Sequence, residues 1–230
     1  MTSAASADDQ KRRAGEAAAD LVEGGATVGL GTGSTAAHFV RALAARKLNI
    51  VCVATSAATE ALASELGLRT QTLDEARLID ITVDGADEIG PGLSLIKGGG
   101  AALLREKLVW EASRRCIVIA DSAKRVDALG RFPLPIEVVR FGHLHTSNQI
   151  ADVLTDFGFA PARLRTRDGS PIVTDEGHLI YDCPPGAIEE PHLLASALKS
   201  ITGVVDHGLF LDLADEAIIG LADGVERLNP

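Results

Sequence analysis

The chain reads as an α/β protein: a parallel-sheet, Rossmann-like domain with a smaller α+β domain inserted into it. Three observations predict this. Apolar strand-like runs alternate with helical stretches through the first 129 residues, and such alternation makes a parallel sheet covered by helices. Near residue 130 the period changes, and short strand-like segments follow with turn residues between them. The last segment, EAIIGLADGVERL, is read as a return to the first domain. The larger domain is therefore expected over 1–129 plus 209–230. The insertion, read as ferredoxin-like, is expected over 130–208.

Each element has a local reason. From Asp8 to Glu23, the residues Ala14, Ala17, Ala18, Leu21 and Val22 recur at helical spacing. Asp8 or Asp9 can cap that helix, and Gly24-Gly25 ends it. Ala26–Leu30 is a strand, followed by GTGS and the helical TAAHFVRALAARK. NIVCVAT and EALASELG repeat the unit, LIDITV is the third strand, ALLREKLVWEASR is a helix after a glycine run, and CIVIAD is the fourth strand. RFPLPIEV carries Pro133 and Pro135, which suit a linker or an edge strand. Then come a short helix around Asn148–Phe157, antiparallel hairpin strands in ARLRT, PIVTD and HLIYD, the helix PHLLASALKSI, and GVVDHGLF.

Composition narrows the function classes. With 46% hydrophobic but only 3% aromatic residues, the core must be built from Ala, Val, Leu and Ile. The 32 acids against 22 bases leave a formal charge of −10, which argues against a nucleic-acid partner. An anionic small molecule stays open, because fields are screened beyond roughly 8 Å at physiological salt and a few local lysines can dominate. Cys52, Cys116 and Cys183 form no CxxC pair and read as buried small hydrophobes of a reducing cytosol. No apolar run approaches a membrane span, and MTSAASADDQKRR lacks a signal-peptide apolar region. The expectation is a cytoplasmic protein without a membrane partner.

Ligands of open parallel sheets bind beyond the carboxyl ends of the strands, and three such ends carry unusual residues. Gly31-Thr32-Gly33-Ser34-Thr35 is a strand-to-helix turn whose N–H groups, hydroxyls and helix dipole suit an anion. On its own it reads equally as a phosphate cradle or a plain βα turn. It lacks the GK[ST] of a Walker A loop. It matches the loose dinucleotide fingerprint, but the next strand ends at Ala54-Thr55 without a ribose-gripping acid. Asp84-Gly85-Ala86-Asp87-Glu88 is either a solvated turn or a set of acids for proton transfer or a divalent metal. Lys97-Gly98-Gly99-Gly100 places a cation beside a backbone nest that is costly to order. Glu106, expected in the second turn of the helix that follows, is either a base facing the nest or part of a solvated charged face. Together the three supply what an enediol-forming isomerase needs: a carboxylate base, a cation with N–H donors for a developing oxyanion, a ring-opening acid–base pair and a phosphate anchor.

The segments GLGTGSTA, VDGADEI, KGGGAALLREK and ADSAKRVDALGRFPLPIEV resemble successive signatures of the ribose-5-phosphate isomerase A family. PIVTDEGHLIYD and GVVDHGLF resemble its later segments, so the similarity spans nearly the whole chain. The resemblance implies a fold shared with glucosamine-phosphate deaminases and CoA transferases, carrying a small inserted α+β domain. It implies interconversion of D-ribose 5-phosphate and D-ribulose 5-phosphate through an enediolate, a pentose phosphate pathway reaction. Glu106 would be the proton-shuttling base, Lys97 would polarise the carbonyl, Asp84 would assist ring opening, and Asp87 would bind sugar hydroxyls. Thr32, Gly33, Ser34, Thr35, Gly85, Ala86, Gly98, Gly99, Gly100 and Lys124 would hold the substrate, with phosphate near Ser34, Thr35 and Lys124. Lys11 matches the family only loosely as a phosphate contact. No cofactor and no metal are implied. A homodimer or higher homo-oligomer is expected.

Two stretches depart from the family pattern, the N-terminal extension Ser3–Asp9 and FGHLHTSNQ. The second holds His143-x-His145, which could offer a metal two ligands from one side of a strand, though nothing nearby completes a site. Rival readings fare worse. A deaminase or lactonase on this fold would need another base arrangement. A sugar-phosphate sensor could dispense with Lys97 and Glu106. A nicotinamide oxidoreductase would need the missing ribose acid.

Overall fold

Helix α1 (Ala7–Ala19) begins where Ser6 and Asp9 satisfy each other's backbone donors. Ser6 Oγ accepts from Asp9 N–H at 3.1 Å, and the Asp9 carboxylate accepts from Ser6 N–H at 3.3 Å. The cap is therefore Ser6, with Asp9 as its reciprocal partner, rather than Asp8 or Asp9 itself. This computed structural model describes residues 6–230. The start of the N-terminal extension, Ser3–Ala5, lies outside the described residues.

The elements that follow α1 are β1 (Thr27–Leu30), α2 (Ser34–Ala45), β2 (Val51–Ala54), α3 (Ala57–Glu65), β3 (Ile81–Gly85), β4 (Glu88–Ile89), β5 (Leu95–Ile96), α4 (Leu103–Glu111) and β6 (Cys116–Asp121). After them come β7 (Leu134–Val138), α5 (His143–Asp156), β8 (Arg163–Leu164), β9 (Thr166–Arg167), β10 (Ser170–Pro171) and β11 (Leu179–Cys183). The chain closes with α6 (Pro191–Lys199), β12 (Val204–His207), β13 (Leu209–Phe210), β14 (Glu216–Leu221) and β15 (Gly224–Leu228).

The residues divide into two units. The first takes in the chain up to Ala86, Arg105–Arg125 and Asp212–Pro230; the second is Asp87–Leu104 with Val126–Leu211. The sequence-based boundaries at 129 and 209 leave 87–104 with the larger domain, whereas here that segment clusters with the insertion. Its two short strands explain why: β4 pairs with β5, and β5 pairs with β13. A two-residue strand shows no period, so the sequence does not reveal its partners.

In the first unit a six-stranded sheet runs β15-β14-β6-β3-β1-β2, parallel except for β15 at its edge. Numbered among themselves along the chain, the parallel strands lie in the order 2-1-3-4-5. This is an open doubly wound sheet whose direction of winding reverses between β1 and β3. Buried Val28, Leu30, Val83, Ile117, Ile119 and Ile218 fill its interior with aliphatic rather than aromatic volume.

In the second unit β7, α5, β8, β11, α6 and β12 form a β-α-β-β-α-β unit, all neighbours antiparallel, in the order β12-β7-β11-β8. Ile136, Val138, Ile150, Leu154, Leu194 and Leu198 are its dry centre. Pro135 therefore lies in a central strand, not a linker or edge. The β7–β12 ladder closes at Ile136–His207, and the Pro135 carbonyl beyond it accepts from Gly208 N–H at 2.7 Å. A strand residue's N–H and C=O point the same way, so the donor that proline lacks faces the side where the ladder has ended. Helix α5 starts at His143, five residues before the expected position, after Gly142 in the left-handed region.

Candidate active site

The winding of the first sheet reverses between β1 and β3, which places the loop after β1 beside Asp84 on β3. In this class of sheet that crevice is where ligands bind. Gly31 N–H donates to Val83 O at 2.9 Å, and Thr32 N–H donates to Asp84 Oδ1 at 3.0 Å. Gly85 N–H donates to the same oxygen at 2.7 Å. Asp84 is fully buried. The close approach depends on Gly31, where a Cβ would overlap Asp84 Oδ1, Cγ and Cα.

Hydroxyl groups stack behind the loop. Thr32 Oγ1 lies 2.8 Å from both Thr55 Oγ1 and Ser56 Oγ and 3.2 Å from Thr59 Oγ1. Thr55 and Thr59 in turn donate to Leu30 O and Gly31 O, each at 3.0 Å. Thr55, Ser56 and Thr59 set the loop's shape, and no motif in the sequence marks them for that part. Ser56 reads as an ordinary helix cap and Thr55 as a strand end; only the β1–β2 pairing brings them to Thr32. The first turn of α2 opens at Gly33 with no side-chain cap, so its N–H groups and positive dipole end remain for an anion.

Two lysines border the same end of the sheet. Lys11 Nζ donates to Ser34 Oγ at 3.1 Å, which ties α1 to the β1 loop. Lys124 ends the short 3₁₀ turn Ser122–Lys124 after β6. The neighbouring Gln10 accepts from Ser122 N–H at 3.0 Å and from Ser122 Oγ at 2.9 Å, so α1 also holds the β6 loop. Glu106 is buried in the first turn of α4, not the second, because the helix begins at Leu103 rather than directly after the glycines.

The second unit holds the remaining candidates. Lys97 follows β5, is 2% exposed, and its N–H donates to Gly208 O at 2.9 Å. Its ammonium lies 5.4 Å from the centre of the Phe210 ring. A Cβ at Gly208 would overlap Lys97 O and crowd Pro135, so only glycine lets these backbones approach. Gly98 takes φ +103°, and Gly99 N–H donates to Asp87 Oδ2 at 2.8 Å.

Elsewhere the chemistry is quiet. Burial pushes the thiols of Cys52, Cys116 and Cys183 up to about 12, which leaves them un-ionised at neutral pH. His143 sits at the start of α5, not on a strand, with Nδ1 2.7 Å from Tyr181 Oη. Among the described residues no cluster of three or more His, Cys, Asp or Glu is arranged to hold a metal ion. No helix among them is long and apolar enough to cross a membrane.

Comparison with known proteins identifies the family. The family model for ribose 5-phosphate isomerase A (phosphoriboisomerase A) matches residues 51–224. A DeoR C-terminal sensor domain model matches only residues 6–76, a stretch without Lys97 and Glu106. Ribose-5-phosphate isomerase A of Caulobacter sp. (strain K31) is 68% identical, covering 98% of this chain and 100% of its own length. A solved ribose 5-phosphate isomerase from Plasmodium falciparum superposes with a TM-score of 0.92 at 37% identity, over 97% of this chain and 99% of its own. A D-ribose-5-phosphate isomerase solved in complex with phospho-erythronic acid gives a TM-score of 0.92 at 36% identity, over 98% of this chain and 100% of its own.

Proposed function

Because the chain belongs to the ribose 5-phosphate isomerase A family, we propose that Glu106, Lys97, Asp84 and Asp87 carry its chemistry. The reaction is the interconversion of ribose 5-phosphate and ribulose 5-phosphate. Asp84, held fully buried by two N–H donors at the β1/β3 reversal, is the observation that carries the reading.

In the aldose-to-ketose direction Asp84 assists opening of the sugar ring, giving the free aldehyde. Glu106 then removes the proton from C2. The C–H electron pair becomes the C1–C2 double bond, and the carbonyl electrons move onto O1 as the enediolate. Lys97 is assigned the stabilisation of that oxygen, assisted by Gly98, Gly99 and Gly100. Glu106 returns its proton to C1, a second proton passes from O2 to O1, and O2 becomes the ketone oxygen. Asp87 accepts from sugar hydroxyls, with Gly85 and Ala86 alongside. Thr32, Gly33, Ser34 and Thr35 cradle the phosphate, with Lys124 and Lys11 as its cations. A base so used contributes typically about 10²–10⁴-fold, and fixed charge at the developing oxyanion is often the larger effect. Self-association as a homodimer or higher oligomer, and a cytoplasmic location, belong to the same reading.

Turnover in heavy water, followed by NMR, tests the enediolate. A carboxyl that holds the proton between transfers exchanges it with solvent, so recovered ribose 5-phosphate gains deuterium at C2. Complete absence of deuterium after many turnovers would point to a hydride shift and contradict the scheme.

A further inference from the structure

One arginine in the second unit spans a carboxylate and the glycine nest. Arg165 Nε donates to Asp182 Oδ2 at 2.8 Å, and Nη2 donates to Asp182 Oδ1 at 2.5 Å, which makes a bidentate pair. The remaining terminal nitrogen, Nη1, donates to Gly98 O at 2.8 Å and to Gly99 O at 3.2 Å. The side chain is only 13% exposed, and that of Asp182 24%.

The peptide plane turns these contacts into a positional device. Gly98 C=O and Gly99 N–H belong to one planar group and point in opposite directions. Its carbonyl end meets the Arg165 cation, and its N–H end donates to Asp87 Oδ2 at 2.8 Å. Cation, peptide dipole and carboxylate are thus aligned. The next peptide is fixed in the same way: Gly99 C=O turns toward Arg165, so Gly100 N–H points away from it. Three consecutive glycines have little conformational preference of their own; Ala101 N–H donates to Gly98 O at 3.0 Å and closes a turn, and Arg165 adds a fixed partner to the carbonyls of both Gly98 and Gly99 from outside it.

We propose that Arg165, held by Asp182, is a positioning residue for sugar binding: it orients the Gly98–Gly100 peptides and, through Gly99, the Asp87 carboxylate. The inference rests on the assignment of Asp87 and the nest to the substrate's sugar. Arg165 acts through these peptides and not on the reacting atoms. Its effect falls on ground state and transition state alike, and so on KM more than on kcat.

Steady-state kinetics with ribose 5-phosphate, binding of a phosphorylated sugar acid, and thermal melts would be measured for Arg165→Met, Arg165→Lys, Asp182→Asn and Asp87→Asn. For Arg165→Met the expected KM is raised about tenfold, the factor equivalent to ~1.4 kcal/mol, with kcat nearly kept and the acid's Kd raised in parallel. Lysine keeps the charge but cannot bridge Asp182 and both carbonyls, so Arg165→Lys recovers only part of the loss. Asp182→Asn keeps its volume and shifts KM in the same direction by less, which preserves the test if Arg165→Met folds poorly. A lower melting temperature with kcat reduced and KM unchanged would make Arg165 merely structural and overturn the proposal. A raised KM in Asp87→Asn with parental KM in Arg165→Met would overturn this inference alone. Parental KM in Asp87→Asn would overturn both it and the site reading.

Discussion

Replacing Gly31 with alanine should cost stability and activity together, because one methyl group would have to share space with Asp84. The added carbon would overlap Asp84 Oδ1, Cγ and Cα, whereas carbon atoms pack at about 3.5–4.0 Å. A side chain alone could rotate away, but the Asp84 Cα is backbone in a central strand. Relief therefore requires β1 and β3 to part at their carboxyl ends, which strains Gly31 N–H to Val83 O and Thr32 N–H to Asp84 Oδ1. Overpacking costs about 1–3 kcal/mol, and a hydrogen bond to a charged group contributes about 1.5–3 kcal/mol. A combined loss of roughly 3–5 kcal/mol corresponds to a melting temperature lower by roughly 6–20 °C in a chain of this size. Because the strain falls on Asp84, kcat/KM should drop about tenfold or more in the fraction that stays folded. Gly24→Ala is the control, since a Cβ there has no neighbour within 4 Å and φ is unstrained. Differential scanning calorimetry and kinetics on both variants decide the matter. Gly31→Ala with parental melting temperature and kinetics would refute the close approach.

Lys97→Ala should lower kcat and kcat/KM together, since its partner oxygen becomes negative only in the transition state. Lys124→Ala should mainly raise KM, because the phosphate is charged throughout; a Lys97→Ala variant changed only in KM would reverse the assignment. Away from the site, Glu137 is 1% exposed, and burial pushes its carboxyl above the ordinary 4.5 despite hydrogen bonds from His178 and Thr174. An acid with a raised folded value binds its proton more tightly in the native state. Its contribution to stability is therefore full below about pH 4.5 and is lost as pH rises through the folded value. The melting temperature of Glu137→Gln relative to the parent should thus improve from pH 5 to pH 8, and a difference that stays constant or shrinks with rising pH would contradict this.

The first unit was legible because its signals are local. The β1 loop, Asp84 in β3 and the CIVIAD strand each carry their own pattern, and a parallel sheet follows from βα alternation, though its strand order does not. Most of the proposed site residues stand in short motifs that follow strands, whereas Glu106 lies in α4 and Lys11 in α1. What stayed hidden depends on pairing between distant segments. Thr55, Ser56 and Thr59 reach Thr32 only through the β1–β2 register. Arg165 and Asp182 sit in segments that read only as hairpin strands, yet they pair with each other and Arg165 closes on Gly98 and Gly99. Pro135 suits a linker or an edge strand until the end of the β7–β12 ladder is known.

In the proposed reaction Glu106 carries the proton between C2 and C1. Replacing it with glutamine keeps size and hydrogen bonding but removes the ability to accept that proton. Formation of ribulose 5-phosphate from ribose 5-phosphate would be followed with purified parent and Glu106→Gln, together with the Kd of a phosphorylated sugar acid. The expected result is a kcat lower by at least about 10²–10⁴-fold with an inhibitor Kd nearly unchanged. A Glu106→Gln enzyme within a few-fold of the parent would contradict it and move the base elsewhere, with Asp84 or Asp87 next to be replaced.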